Sequence, residues 1–387
     1  MRTLKQDFLL DPDVVFLNHG SFGATPRPVF QAYQRWQREL ERQPVEFLGR
    51  RHDALMRSAR TALAEYLNTQ ADNVVYTQNV TISVNIVARS LALGKGDEVL
   101  ASDHEYGACD RTWRFFARER GFSYINQPVT VPPASKQALV DGFWEGVTSR
   151  TRMIFLSHIT SPTAMILPIP EICRRARAAG ILTLIDGAHA PGQTSLDLPA
   201  LGADFYGGNL HKWLCAPKGA GFLYARPEVQ SLLKPFVVSW GYESEQPSGS
   251  VFIDHHEWWG TRDIAAFLAV EDAIRFQASN DWPHIRDQCH ALLNTALEGV
   301  RDITGMPGFY ADDTWYAQMG AALLPPGTEI ESLKSRLYAE HRIEVPIVDW
   351  KGRKLIRISV QGYNEPADIE RLLHALPHLL STPISTE

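Results

Sequence analysis

Cysteine is scarce in this sequence, and neither a long hydrophobic run nor an excess of basic residues is present. Its 387 residues include four cysteines, Cys109, Cys173, Cys215 and Cys289, with no CxxC pair. That argues against both a disulfide framework and a zinc knuckle. We expect four reduced thiols that pack as small hydrophobes, and no metal site. No apolar stretch reaches the roughly 18 residues that a spanning helix needs, so no membrane partner is expected. The opening residues MRTLKQDFLLDPDVVFLNHG lack the basic, apolar, small layout of a signal peptide, which predicts a cytoplasmic protein. Lys plus Arg number 38 against 44 Asp plus Glu, a formal net charge of -6. Such a chain is poorly suited to gripping phosphate backbones, and no nucleic-acid partner is expected. The length exceeds what one core usually supports, so two domains are expected.

What is present is an alternation. Pro28 to Gln43 carries Val29, Phe30, Tyr33, Trp36 and Leu40 at helical spacing, and Asp53 to Leu67 repeats the pattern. Short, mostly apolar runs follow: VVYT (74–77), EVLAS (98–102), MIFLSH (153–158) and ILTLID (181–186). Runs of this kind suit strands buried on both faces. A helix from Ile169 to Ala179, ended by Gly180, lies between the last two. The pattern predicts an α/β layer with a mainly parallel sheet. The tail differs: helices at Pro283–Val300 and Glu331–His341, a strand at Ala317–Leu324, and the strand-like runs IEVPIVDW and KLIRISVQGY. That is a small α+β unit.

In an open α/β sheet, ligands bind beyond the carboxyl ends of the strands. Polar residues collect there in five loops: Gln78-Asn79-Val80-Thr81, Asp103-His104-Glu105-Tyr106, Thr160 to Thr163, Asp186-Gly187-Ala188-His189, and Asn209-Leu210-His211-Lys212. Asn79 to Thr81 open a helix whose amides suit an anion such as phosphate. Lys212, in small and apolar surroundings, suits an amine of lowered pKa that attacks an aldehyde as a Schiff-base nucleophile. Asp186, ending a buried strand, suits a protonated pyridine nitrogen. Taken singly, Lys212 reads as well as a surface lysine, Asp186 as a turn cap and His104 as a structural histidine. Their joint placement at successive strand ends points to pyridoxal 5'-phosphate.

The segments NHGSFGATP (18–26), DHEYGA (103–108), SHITSPTAMILPI (157–169), IDGAHAPG (185–192), ADFYGGNLHKWLCAPKGAGFL (203–223) and GTRD (260–263) together resemble class V aminotransferase-type enzymes. Within that family they are most similar to the isopenicillin N epimerase-like branch, relatives of cysteine desulfurases and kynureninases. The resemblance spans nearly the whole chain. It implies a fold type I transferase, with an N-terminal segment (1–25) packing on the small domain, a large cofactor domain (26–265) and a smaller α+β C-terminal domain (266–387). It implies that Lys212 forms the Schiff base, that Asp186 pairs with the pyridine nitrogen and that His104 stacks on the ring. Asn79, Val80 and Thr81 would contact the phosphate, with Asn209 and His211 as further candidates. His189 and Thr163 would lie near the ring edge and its hydroxyl. Gly260-Thr261 resembles a loop that reaches the neighbouring subunit's phosphate, which implies a homodimer with shared active sites. Arg357 matches the arginine that clamps a substrate carboxylate, a task suited to a bidentate guanidinium. Asn18 and Tyr106 are further substrate-binding candidates; Asn18 also reads as an ordinary turn residue.

The resemblance implies action at Cα or Cβ of an amino acid or its derivative through an external aldimine. Epimerisation is ranked first, and β-elimination by a C–S lyase acting on a cysteine derivative second. Transamination, and a PLP-fold binding protein without catalysis, remain as alternatives. Persulfide-forming desulfuration needs a reactive cysteine ahead of the carboxylate-binding arginine, and none lies between Ala311 and Arg357. Epimerisation also needs an acid or base on the face opposite Lys212, for which His104, Tyr106 or a water is available. Trp240, Tyr242, Phe252, Trp258 and Trp259 are expected to pack a dimer interface or to line a pocket for a bulky side chain.

Overall fold

Six strands of the central sheet run in one direction, and a seventh, Gly221–Ala225, runs against them. The computed structural model describes residues 3–381. From one edge the strands are Val74–Thr77, Gly221–Ala225, Phe205–Asn209, Leu182–Gly187, Thr151–Ser157, Glu98–Ser102 and Ser123–Gln127. Alternate residues feed two cores. Tyr76, Leu100, Ile154, Leu156, Ile185 and Phe222 face one, while Val75, Val99, Met153, Phe155, Leu184 and Leu223 face the other. Burial on both faces is why these strands read as unbroken apolar runs; each large side chain removed from water contributes roughly 1.5–3 kcal/mol. Only Ser123–Gln127, a half-buried edge strand of sequence SYINQ, escapes that pattern.

Helices cover both faces. Val80–Ser90 and Gly107–Arg120 pack together on one; Arg27–Arg42 and His52–Tyr66 lie on the other with Val270–Ala278. The C-terminal unit is a three-stranded antiparallel sheet, ordered Ile347–Trp350, Arg353–Ser359, Met319–Leu323. Helix Trp282–Thr304 packs on that sheet and on the last helix, Pro366–Ser381. Val15–Phe16 pairs in parallel with Ile343–Glu344, and Asn18 bridges to Ser359. These contacts tie residues 15–18 to C-terminal strands. Helix Val270–Ala278 packs on large-domain helices although the sequence reading assigned it to the small domain. We propose the division within the Ser279–Asp281 link.

The six strands that share a direction end at Thr77, Ser102, Gln127, Ser157, Gly187 and Asn209 on one edge of the sheet. Arg357, on the central strand of the small sheet, is brought against that edge.

Candidate active site

Asp186 is 3 % exposed at the end of its strand. One carboxylate oxygen, Oδ1, accepts the Ala188 amide at 2.9 Å, and Oδ2 faces the Cys109 thiol at 3.5 Å. It has no ion-pair partner among the described residues. Burial pushes its carboxyl above the usual range, opposed by the Ala188 amide and by the positive charge of Lys212. A buried carboxylate so placed calls for a cationic partner.

Lys212 follows a sharp turn after the strand Phe205–Asn209 and is partly buried. Its Nζ lies 3.3 Å from Nε2 of His189. Burial, reinforced by the Arg357 charge, brings the amine down to about 7, with Asp186 acting in the opposite sense. His189 Nδ1 accepts the indole N–H of Trp213 at 3.2 Å. Behind Lys212, the ring of His19 contacts the Lys212 carbonyl at 3.0 Å. Gly23 has φ +72°, and a Cβ there would stand 2.0 Å from the His211 carbonyl oxygen. The NHGSFG loop thus passes against the backbone that presents the lysine, a position only glycine fits.

The helix Val80–Ser90 offers its N-terminus to the same edge. Asn79 caps it, Oδ1 accepting the Ile82 amide at 3.1 Å. The Val80 amide is taken by Asn209 Oδ1 at 2.9 Å. The Val80 amide is therefore satisfied within the chain, since a helix-terminal N–H must find a partner, while the Asn209 NH2 stays free to donate. The amide and hydroxyl of Thr81 make no hydrogen bond to the described residues, leaving Thr81 to meet an anion. His211 uses Nδ1 on the Ala220 carbonyl at 3.0 Å, and burial holds its imidazole near 4. Gln78 Oε1 is buried without a partner.

Arg357 is 6 % exposed and pairs with no carboxylate among the described residues. Its Nη1 donates to the Ser161 carbonyl, its Nη2 to Ser21 Oγ at 3.2 Å, and its Nε is buried without a partner. Burial lowers the guanidinium to about 10. An uncompensated buried cation is an anion site. Asn18 does not meet that site directly. Its amide donates to Glu344 at 2.9 Å and its Oδ1 accepts the Ser21 hydroxyl, so it orients Ser21. Tyr106 is 47 % exposed and electrostatically coupled to Arg357.

His104 departs from expectation. Its ring is fully buried, tilted 42° against Trp350 at 4.3 Å, and Nδ1 bonds Thr163 Oγ1 at 2.7 Å. It presents no exposed face for stacking. Thr163 in turn bonds Thr160 and takes the Tyr310 hydroxyl on its carbonyl, so its hydroxyl serves His104 rather than a ligand. Thr261 is exposed and makes no hydrogen bond to the described residues. The aromatic stretch divides: Phe252 is core, Trp259 packs on Phe236 and Trp258 on His52, while Trp240 is 82 % exposed.

Glu105, which lies in a strand-end loop of the sequence but carries no role there, joins the candidate site. It is buried, accepts the hydroxyls of Ser102 and Ser157, and burial pushes it up to about 8. Its place in DHEYGA was the only available signal. No group of three or more His, Cys, Asp or Glu suited to a metal occurs among the described residues. No described helix is long and apolar enough to cross a membrane.

The residues present fit pyridoxal phosphate. The buried Asp186 lacks an ion-pair partner and Arg357 lacks an anion among the described residues, Thr81 is open at a helix N-terminus, and the Lys212 amine is lowered to about 7. The family model for aminotransferase class-V matches residues 15–372. The chain is 38 % identical over 388 residues to isopenicillin N epimerase of Amycolatopsis lactamdurans, covering 97 % of each chain. It is 28 % identical to a probable chloroplastic L-cysteine desulfhydrase of Arabidopsis thaliana, covering 96 % of this chain and 84 % of that one. Among solved structures, the cystine C–S lyase C-DES in complex with cysteine persulfide superposes with a TM-score of 0.81 at 23 % identity, covering 96 % and 98 %. The chain belongs to the class-V aminotransferase family and is a pyridoxal-5'-phosphate enzyme of fold type I.

Proposed function

We propose that this enzyme moves the proton at Cα of an amino-acid substrate in the manner of an isopenicillin N epimerase. The observation that carries the reading is a lysine whose Nζ lies 3.3 Å from His189 Nε2 and whose amine is lowered to about 7, with the Arg357 guanidinium and the Asp186 carboxylate acting on it in opposite senses. When bound, the cofactor supplies an electron-accepting ring. Asp186 would hold the proton at its pyridine nitrogen, and Thr81 would bind its phosphate. Arg357, steadied by Ser21 and Ser161, receives the substrate carboxylate. That anchors one substituent of Cα and leaves its proton to Lys212. Tyr106 is the candidate for the opposite face, because His104 is buried and committed to Thr163.

That commitment of His104 supports a second reading, β-elimination by a C–S lyase, for which Lys212 alone suffices as base. Persulfide-forming desulfuration is disfavoured, since all four cysteines are buried and burial raises every thiol. A homodimer with shared sites is supported by the exposed Thr261 and by Trp240, Val238 and Val251, which are 82 %, 70 % and 67 % exposed; sedimentation at micromolar concentration tests it.

The test of reaction is NMR in deuterated water with isopenicillin N and a panel of amino acids. Deuterium at Cα with inversion is the expected result. Pyruvate and a sulfur product would replace it with lyase chemistry, and exchange with neither would lead to assay with an oxo acid for transamination.

A further inference from the structure

We infer that Trp213 is a positioning residue: its indole N–H locks His189 in one tautomer, and that tautomer keeps Lys212 a free amine. The inference rests on the reading of Lys212 as the proton carrier. An indole nitrogen can only donate, so Nδ1 of His189, 3.2 Å away, must present its lone pair. A neutral imidazole then carries its hydrogen on Nε2. Nε2 lies 3.3 Å from Lys212 Nζ. An N–H at that place donates, and Nζ accepts only as an uncharged amine with its lone pair free. An ammonium there would point hydrogens at a hydrogen.

The lock has little freedom. Trp213 is fully buried among Ile159, Ala164 and Met319, its ring 4.9 Å from that of His19. Its carbonyl accepts Gln277 at 2.8 Å, and the His189 carbonyl accepts Gln193 at 2.7 Å. The groups acting on His189 are Lys212 and His211 from one loop, His19 from the helical turn His19–Phe22 and Arg357 from the small sheet. All are basic, so none favours an imidazolium. Asp186 acts on Lys212 from the neighbouring strand, in the opposite sense. After Lys212 accepts a proton, Nε2–H offers the new ammonium no acceptor, and the proton is readily given back.

The test uses the full-length protein with ring-15N histidine, as purified with cofactor and again after its removal. Histidine 15N shifts distinguish the two tautomers and the imidazolium, and the His189 signals are those lost in His189→Gln. The expected result is Nε2–H in both forms. In Trp213→Phe, which keeps a buried ring but removes the donor, the Nδ1–H tautomer should appear. Nε2 then becomes an acceptor for a protonated nitrogen, so the pH midpoint of the cofactor's absorption band should move to higher pH. Nδ1–H or imidazolium in the unsubstituted protein overturns the inference, as does Trp213→Phe with unchanged tautomer and midpoint. The first measurement needs no folded variant. A protein that takes up no cofactor would instead defeat the proposed function, while the 15N shifts of the cofactor-free chain would still decide the tautomer.

Discussion

The backbone N–H of Val80 ends on Oδ1 of Asn209, 2.9 Å away and 129 positions along the chain. The Val80 amide is thereby occupied, and the donors left free among the described residues at this helix start are the amide and hydroxyl of Thr81 and the side-chain NH2 groups of Asn79 and Asn209. Thr81→Val is expected to weaken retention of pyridoxal phosphate by about 10- to 150-fold, the loss of roughly 1.5–3 kcal/mol for a hydrogen bond to a charged group. Equilibrium dialysis measures it, and unchanged affinity would remove Thr81 from the phosphate site.

Asn209→Ala should act differently. It strands a buried N–H, which costs roughly 1–3 kcal/mol of folding stability. Urea unfolding of the cofactor-free chain should show that loss, and a variant as stable as the parent would mean the Val80 amide finds another partner.

Arg357→Ala should weaken binding of α-carboxylate substrates by a similar 10- to 150-fold while leaving the cofactor spectrum unchanged. The spectrum reports the cofactor alone, and Arg357 sits on the small sheet, not on the strand that carries Asp186. Unaltered substrate affinity would place the carboxylate elsewhere.

Glu105 carries a pH signature. Its carboxyl is raised from the ordinary 4.5 to about 8, so between those values the folded chain retains a proton that the unfolded chain has released. Stability should therefore fall as pH rises through that window. Glu105→Gln removes the effect: relative to the parent it should gain stability at pH 9 over pH 5. Thermal unfolding at the two values checks this, and a flat difference contradicts it.

Much of this was legible in the sequence where a single element carries its own signal. Glu98–Ser102 and Leu182–Gly187 are buried on both faces and read as apolar runs; Ser123–Gln127, at the sheet edge, uses SYINQ and carries no apolar run. Asp186 and Lys212 stand out as candidates because strand ends in this architecture are where ligand chemistry collects. The partnerships do not. Val80 with Asn209, Arg357 with Ser21 and His104 with Trp350 join residues far apart in the chain, and no local pattern marks which side chains tertiary packing will bring together. Glu105 carries no role in the sequence for the same reason, since its meaning lies in two serines on neighbouring strands.

The central claim is that Lys212 is the amine that holds pyridoxal phosphate opposite Asp186. The absorption spectrum of the purified protein, before and after addition of pyridoxal phosphate, tests it most directly. The account predicts a near-ultraviolet or visible band in the parent protein that is absent in Lys212→Ala. A parent protein that shows no such band even after the cofactor is added, or a Lys212→Ala variant that keeps it, would contradict the account.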